Sequence, residues 1–141
     1  MQEPELARRL ASVEFFSTLP EAKRRQIAGH IVDRTHRPGR VLTEHGMGGA
    51  DLHLILHGTA DVNVGGQVRA TLTEGDSCGE ISLMDSAPRS ATVVAGKGAL
   101  TTAALSPLAF APRLDDLEVA KPLLRVLTTR LRTAEARTLV D

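Results

Sequence analysis

Between Arg37 and Leu105 no stretch of strand-forming residues runs far before a glycine or proline interrupts it. Pro38-Gly39, Gly46, Gly58, Gly65-Gly66, Gly75, Gly79, Pro88 and Gly96-Lys97-Gly98 all fall inside this segment. Glycine admits left-handed turns and proline cannot extend a ladder, so the pattern allows many short strands and no long helix. The strands are expected at Arg40 to Glu44, Leu52 to His57, Ala60 to Val64, Gln67 to Leu72, Ala91 to Ala95 and Ala99 to Leu105. Gly65-Gly66 is a two-residue hairpin signal. Gly96-Lys97-Gly98 reads as the turn that pairs the last two strands. Short strands at regular spacing imply a sandwich or barrel, here of jelly-roll type.

Helical periodicity flanks this segment on both sides. Leu6, Leu10 and Val13 predict a helix from about Glu5 to Phe16. Ser17 to Glu21 reads as a turn and cap, with Thr18 and Glu21 as a capping box and Pro20 at the first helical position. A second helix is expected to run to about Val32, burying Ile27, Ile31 and Val32, with Lys23, Arg24 and Arg25 on its solvated face. After the strands, Ser106-Pro107 opens a short helix that carries Leu108 and Phe110. Asp115 and Glu118 give another cap signature, and Pro122 limits or kinks the segment that follows. The last helix is expected to reach about Leu139. Leu117, Ala120, Leu124, Leu127, Leu131 and Ala134 form a heptad-like seam, with Val119, Leu123 and Val126 beside it. Either one row docks on the barrel while the other meets a second copy, or both form one wide stripe that packs inward. The first alternative predicts a homodimer through the C-terminal helix.

The 141 residues are expected to form a single domain over 1–141, with helices at about 5–32, a β-roll at about 38–105 and C-terminal helices at about 106–139. Seventeen basic and seventeen acidic side chains cancel, which argues against a dominant nucleic-acid footprint. One cysteine permits no internal disulfide, and a cytoplasmic location is the expectation. No apolar run approaches the ~18 residues of a membrane span. No metal site is expected. His53 and His57 lie four apart on a strand, which separates their Cα atoms by roughly 13 Å, and His30, His36 and His45 show no ligand spacing. No nucleophile, base and orienting group come together, so no catalytic residue is assigned and the chain does not read as an enzyme. Cys78 reads as a small packing residue.

The remaining stretch is Asp76-Ser77-Cys78-Gly79-Glu80-Ile81-Ser82-Leu83-Met84, followed by Asp85-Ser86-Ala87-Pro88-Arg89-Ser90-Ala91-Thr92-Val93. Gly79 lets a ligand approach the backbone. Glu80 to Met84 reads as a short helix whose first amides are donors without partners. Arg89 brings a planar cationic fork suited to phosphate, and Ser90 brings a hydroxyl. Glu80 would repel a phosphate, and makes sense as the acceptor for a hydroxyl on the same ligand. A 3′,5′-cyclic nucleotide has a phosphate and a ribose 2′-OH close together.

Gly79-Glu80-Ile81-Ser82-Leu83 with Pro88-Arg89-Ser90-Ala91-Thr92-Val93 resembles the phosphate-binding cassette of cyclic nucleotide-binding domains, the family of the catabolite activator protein and the regulatory subunit of cAMP-dependent kinase. The resemblance extends to Phe16-Ser17-Thr18-Leu19, to Pro38-Gly39-Arg40-Val41-Leu42 with Gly46, to Leu54-Ile55-Leu56-His57-Gly58, and to Leu72 through Gly75-Asp76. It implies an eight-stranded antiparallel jelly roll, mainly β with flanking helices, and a C-terminal helix that acts as a lid. It implies Glu80 on the ribose 2′-OH and Arg89 on the cyclic phosphate. Gly79, Ile81 and Ser82 would give close backbone contacts, and Ser90 and Ala91 further donors. The ligand expected is cAMP, with cGMP as the other possibility, and no cofactor is expected. Two departures stand out. Cys78 occupies a position that is often aromatic in the family, and the chain has neither Trp nor Tyr to stack on a base. Arg130 or Arg132 on the last helix is the candidate for that role. The expected function is a regulatory sensor that signals to a protein partner or fused effector. The competing reading is a degenerate domain that serves in interaction or dimerisation without nucleotide. Since only a short tail follows the last helix, no DNA-binding domain is expected in this chain.

Overall fold

The computed structural model describes residues 1–43, 46, 51–85 and 91–140. Eight strands form two four-stranded antiparallel sheets among these residues. The first sheet runs β1 (Val32–His36), β8 (Leu100–Leu105), β3 (Leu52–His57), β6 (Ser77–Cys78). The second runs β2 (Val41–Thr43), β7 (Thr92–Ala95), β4 (Ala60–Val64), β5 (Gln67–Leu72). Ile55, Ala60, Val93, Ala95 and Leu100 fill the space between the sheets. On the other face of the first sheet, Leu52, Leu54, Leu56, Ala103 and Leu105 pack against helix residues including Leu10, Phe15, Phe16 and Phe110. β3 is therefore covered on both faces, and so it reads as a near-continuous apolar run rather than an alternating one. This is the expected eight-stranded jelly roll with flanking helices.

The helical parts depart from expectation in instructive places. The first predicted helix is two, α1 (Glu3–Leu10) and α2 (Glu14–Ser17), with Val13 extended between them. The break turns Val13, Phe15 and Phe16 together into the core, which one straight helix cannot do at that spacing. α3 (Glu21–Ala28) ends before Val32, and no side chain caps it; Pro20 is its N-cap, so the Thr18–Glu21 capping box does not form. Val32 opens β1 instead and is 51% exposed rather than buried. The edge of β8 recruits this segment, pairing it from Val32↔Ala104 to His36↔Leu100. Ladder pairing across the chain outweighs a weak local helical pattern.

A second correction concerns β7 and β8, which do not pair with each other. β7 pairs with β2 and β4, and β8 with β1 and β3. Gly96-Lys97-Gly98 carries the chain from one sheet to the other, and the Gly96 amide donates to the Thr59 carbonyl at 2.8 Å. The β3–β4 connection crosses this point closely. Gly58 has φ +94°, and a Cβ there would sit 2.5 Å from the Ala99 carbonyl oxygen. The β4–β5 hairpin is as read, with Val64 opposite Gln67 across Gly65-Gly66.

After β8, the Ser106 hydroxyl accepts from the Ala109 amide at 3.1 Å and caps α5 (Pro107–Phe110). Phe110 is fully buried, whereas Leu108 is exposed. A 3-10 turn (Ala111–Asp115) leads to α6 (Leu117–Val140), which continues through Pro122. The cap signature resolves on Asp116 rather than Asp115: its carboxylate accepts from the Glu118 amide at 2.9 Å. Val119 and Leu123 of α6 are buried, and Leu117, Leu124 and Leu131 face outward. Among the described residues no helix is long and apolar enough to cross a membrane.

Candidate ligand-binding site

The short strand β6 is held by β3. His53 opposes Cys78 and Leu54 opposes Ser77, and the Ile55 amide donates to the Asp76 carbonyl at 2.8 Å. The turn before it is tied by the Asp76 carboxylate, which accepts from the Thr73 amide at 2.8 Å. Gly79 then takes φ +96°, a left-handed conformation that favours glycine and swings the chain out of the sheet. α4 (Glu80–Asp85) starts at once, its first turn closed by the Leu83 amide on the Gly79 carbonyl at 3.1 Å. Leu83 is buried in the core and Met84 packs against it, which anchors the turn.

A cavity of about 250 Å³ opens beside this turn. Its floor and walls are Thr43, Val62, Leu72 and Val93, from the second sheet and its inner face. Ser77, Cys78, Gly79 and Glu80 form one rim and Ala91 the other. The Glu80 carboxylate accepts a hydrogen bond from the Ser77 hydroxyl. The volume suits a small ligand, and the arrangement of an apolar wall with a few convergent polar groups is that of a binding pocket. A carboxylate at the rim selects for hydroxyl or amine donors, and Gly79, with no side chain on the rim, allows a close approach.

Of the residues singled out from sequence, Gly79, Glu80 and Ala91 come together around this cavity. Ile81 and Ser82 follow in the first turn of α4. Arg89 and Ser90 lie outside the described residues. Arg130 and Arg132 do not line the cavity. The Arg130 guanidinium pairs with the Glu14 carboxylate at 3.0 Å and lies 5.9 Å from the Phe15 ring centroid, so it joins α6 to α2. Arg132 is exposed on α6. Two residues missed from the sequence, Thr43 and Ser77, bring hydroxyls to the wall and rim. Ser77 has one sequence signal, its position two residues before Gly79, and Thr43 has none of that kind.

Further inside the roll, Thr102 links two buried histidines, its hydroxyl lying 3.0 Å from His36 Nε2 and 2.9 Å from His53 Nδ1. The two rings meet edge to face at 5.5 Å. Burial holds the His36 pKa below its usual value, and the charges of Arg40 and Arg34 push in the same direction. The histidine pair that assembles is thus His36 with His53. Among the described residues no three His, Cys, Asp or Glu side chains gather as a metal site requires.

The family model described as cyclic nucleotide-binding domain matches residues 33–107, more than half of the chain. A cGMP-dependent protein kinase from Toxoplasma gondii is 38% identical over 86 residues, covering 61% of this chain and 9% of that protein. A cAMP-dependent protein kinase regulatory subunit from Yarrowia lipolytica is 34% identical over 119 residues, covering 80% of this chain and 32% of that protein. The chain therefore spans a third or less of the length of these relatives. Among solved structures, the N-terminal domain of a transcriptional regulator from Streptomyces coelicolor superposes with a TM-score of 0.78 at 25% identity, covering 89% of this chain and 91% of that one. With the matched segment running from β1 to the start of α5 and enclosing the whole cavity, this chain belongs to the cyclic nucleotide-binding domain family.

Proposed function

We propose that this chain is a sensor that binds a 3′,5′-cyclic nucleotide, cAMP in the first instance, and signals through the position of α6. One observation carries the reading. Gly79 and the Glu80 carboxylate face Ala91 across a cavity of small-ligand size. Arg89 and Ser90, which immediately precede Ala91, would bring the cation and hydroxyl that a cyclic phosphate needs. In this reading Glu80 accepts from the ribose 2′-OH, and its charge is offset by Arg89. Gly79, Ile81 and Ser82 offer backbone contacts, and Ser90 and Ala91 add donors. The role is binding rather than catalysis. The names of the relatives include both cAMP- and cGMP-dependent kinases, so both nucleotides belong in the test.

Ligand would act by favouring one position of α6 over another, to the extent that it binds one form more tightly. Base contact by Arg130 requires α6 to leave α2 and the Glu14–Arg130 pair to break. The outward leucines of α6, spaced seven apart, would bring two copies together along that helix. Calorimetry with cAMP and with cGMP tests the binding step. Saturable heat with one of them, lost in Arg89→Ala, is the expected result. No heat with either would leave an interaction module without nucleotide. Hydrogen exchange over residues 106–139 tests the signal: protection there should change at saturating ligand, and identical exchange with and without ligand would rule out the α6 mechanism.

A further inference from the structure

We infer that Ser77 is a positioning residue for Glu80, holding one carboxylate oxygen so that the other is presented to the ligand's ribose 2′-OH. The inference rests on the cyclic nucleotide reading of the cavity. The Ser77 hydroxyl donates to Glu80 Oε1, and both residues line the cavity. Among the described residues no other side chain holds Glu80. A glutamate has three side-chain torsions, and ordering a free one on binding costs conformational entropy. A hydroxyl that holds it beforehand removes part of that cost.

Ser77 is well placed to act as a fixed post. Its backbone pairs with Leu54, which is fully buried, and the neighbouring Asp76 carbonyl is held by the Ile55 amide at 2.8 Å. The chain then turns at Gly79, and Glu80 begins α4. An ordinary structural use of this serine would be to cap α4 by accepting from a backbone amide. The bond it makes here runs the other way, from its hydroxyl to the carboxylate. A hydroxyl has one hydrogen to give, and it is given to the group proposed to read the ribose. Among the described residues no side chain hydrogen-bonds the second carboxylate oxygen, which is the one offered to the ligand.

The test compares nucleotides that differ only at the 2′ position. cAMP and 2′-deoxy-cAMP, with cGMP and 2′-deoxy-cGMP in parallel, are titrated into the full chain as wild type, Ser77→Ala, Ser77→Thr and Glu80→Gln, and into Ser77→Ala combined with Glu80→Gln. Loss of one hydrogen bond to the carboxylate should weaken binding of the ribonucleotide by roughly fivefold in Ser77→Ala. The 2′-deoxy analogue should be bound as by wild type, Ser77→Thr should restore the ribonucleotide affinity, and Ser77→Ala should cost nothing further in the Glu80→Gln background. An equal loss for both nucleotides would show a merely structural serine and overturn the inference, as would unchanged ribonucleotide binding in Ser77→Ala. If the wild type binds none of the four, the cyclic nucleotide reading itself fails. If the wild type binds and Ser77→Ala is indifferent, only the role of Ser77 fails.

Discussion

Thr102 shares a single hydroxyl between two imidazoles inside the roll. Such a group has one hydrogen and two lone pairs, so at most one ring accepts from it. Charging His36 there sets a cation in a buried position near Arg40 and Arg34, and its pKa is lowered by burial first and by those charges second. The sign of the stability effect follows from linkage. The unfolded chain takes up the proton near 6.5, while the folded chain takes it up only at lower pH. The contribution is complete above 6.5 and is lost as pH falls from there toward the folded value. The thermal midpoint is therefore expected to drop between pH 7 and pH 5.5, and to drop less in His36→Gln, whose amide cannot titrate in that range. Equal pH dependence in the two proteins would contradict the assignment. This pair was invisible in the sequence, since no strand was read over Asp33 to His36 and the histidines sit on strands that become neighbours only through β8. Gly79 and Glu80 were legible because they are adjacent, and adjacency survives folding. The hydroxyl of Ser77 was not, because its partner is chosen by the turn at Gly79 rather than by spacing.

At the scale of elements, α6 shows how one helix serves two surfaces. Val119 and Leu123 face the core, and Leu117, Leu124 and Leu131 are 64%, 60% and 60% exposed. Replacing the fully buried Leu123 by Ala removes core contacts and should destabilise the fold by about 2–5 kcal/mol, measured by denaturant unfolding. Leu124→Ala, one residue along, should fall within about 0.5 kcal/mol for the monomer, as exposed positions do. Similar losses for the two would mean that α6 sits differently on the roll. Its start is held to α3 by Lys23, whose ammonium lies 2.7 Å from the Asp116 carboxylate, and its middle to α2 by Arg130. The Lys23 pair lifts the lysine pKa and lowers that of Asp116, in each case chiefly through their shared hydrogen bond. The period of α6 was readable, and so were the two rows of apolar residues. Which row faces inward was not, because both satisfy the same period.

At the scale of the molecule, the outward leucines repeat every seven residues along the seam, at 117, 124 and 131. Two depressions, of about 400 and 340 Å³, lie along the same helix; the first is lined by Leu131, Ala134, Glu135 and Thr138, and the second includes Leu117 and Pro20. Both are larger than the cavity at Glu80, but they are open and formed mainly by one helix surface, as expected where a second helix would pack. The proposed homodimer can be tested by sedimentation. The wild type should sediment as a dimer at micromolar concentration, and Leu124→Ser with Leu131→Ser as a monomer of unchanged secondary structure. A monomeric wild type would remove α6 as a dimer seam.

The sequence by itself determined the class of fold and singled out Gly79, Glu80 and Ala91, which line one cavity. Glycines set the lengths of the strands and apolar periods set the helices, because these are properties of neighbours along the chain. The tertiary structure alone decided that Val32–His36 is a strand, that β7 and β8 part into different sheets, and that His36 meets His53. It also decided that Arg130 rests on α2, away from the cavity. Each of these depends on which distant segment offers the better ladder edge or charge partner, and that competition is resolved only when the two sheets and the helices pack together.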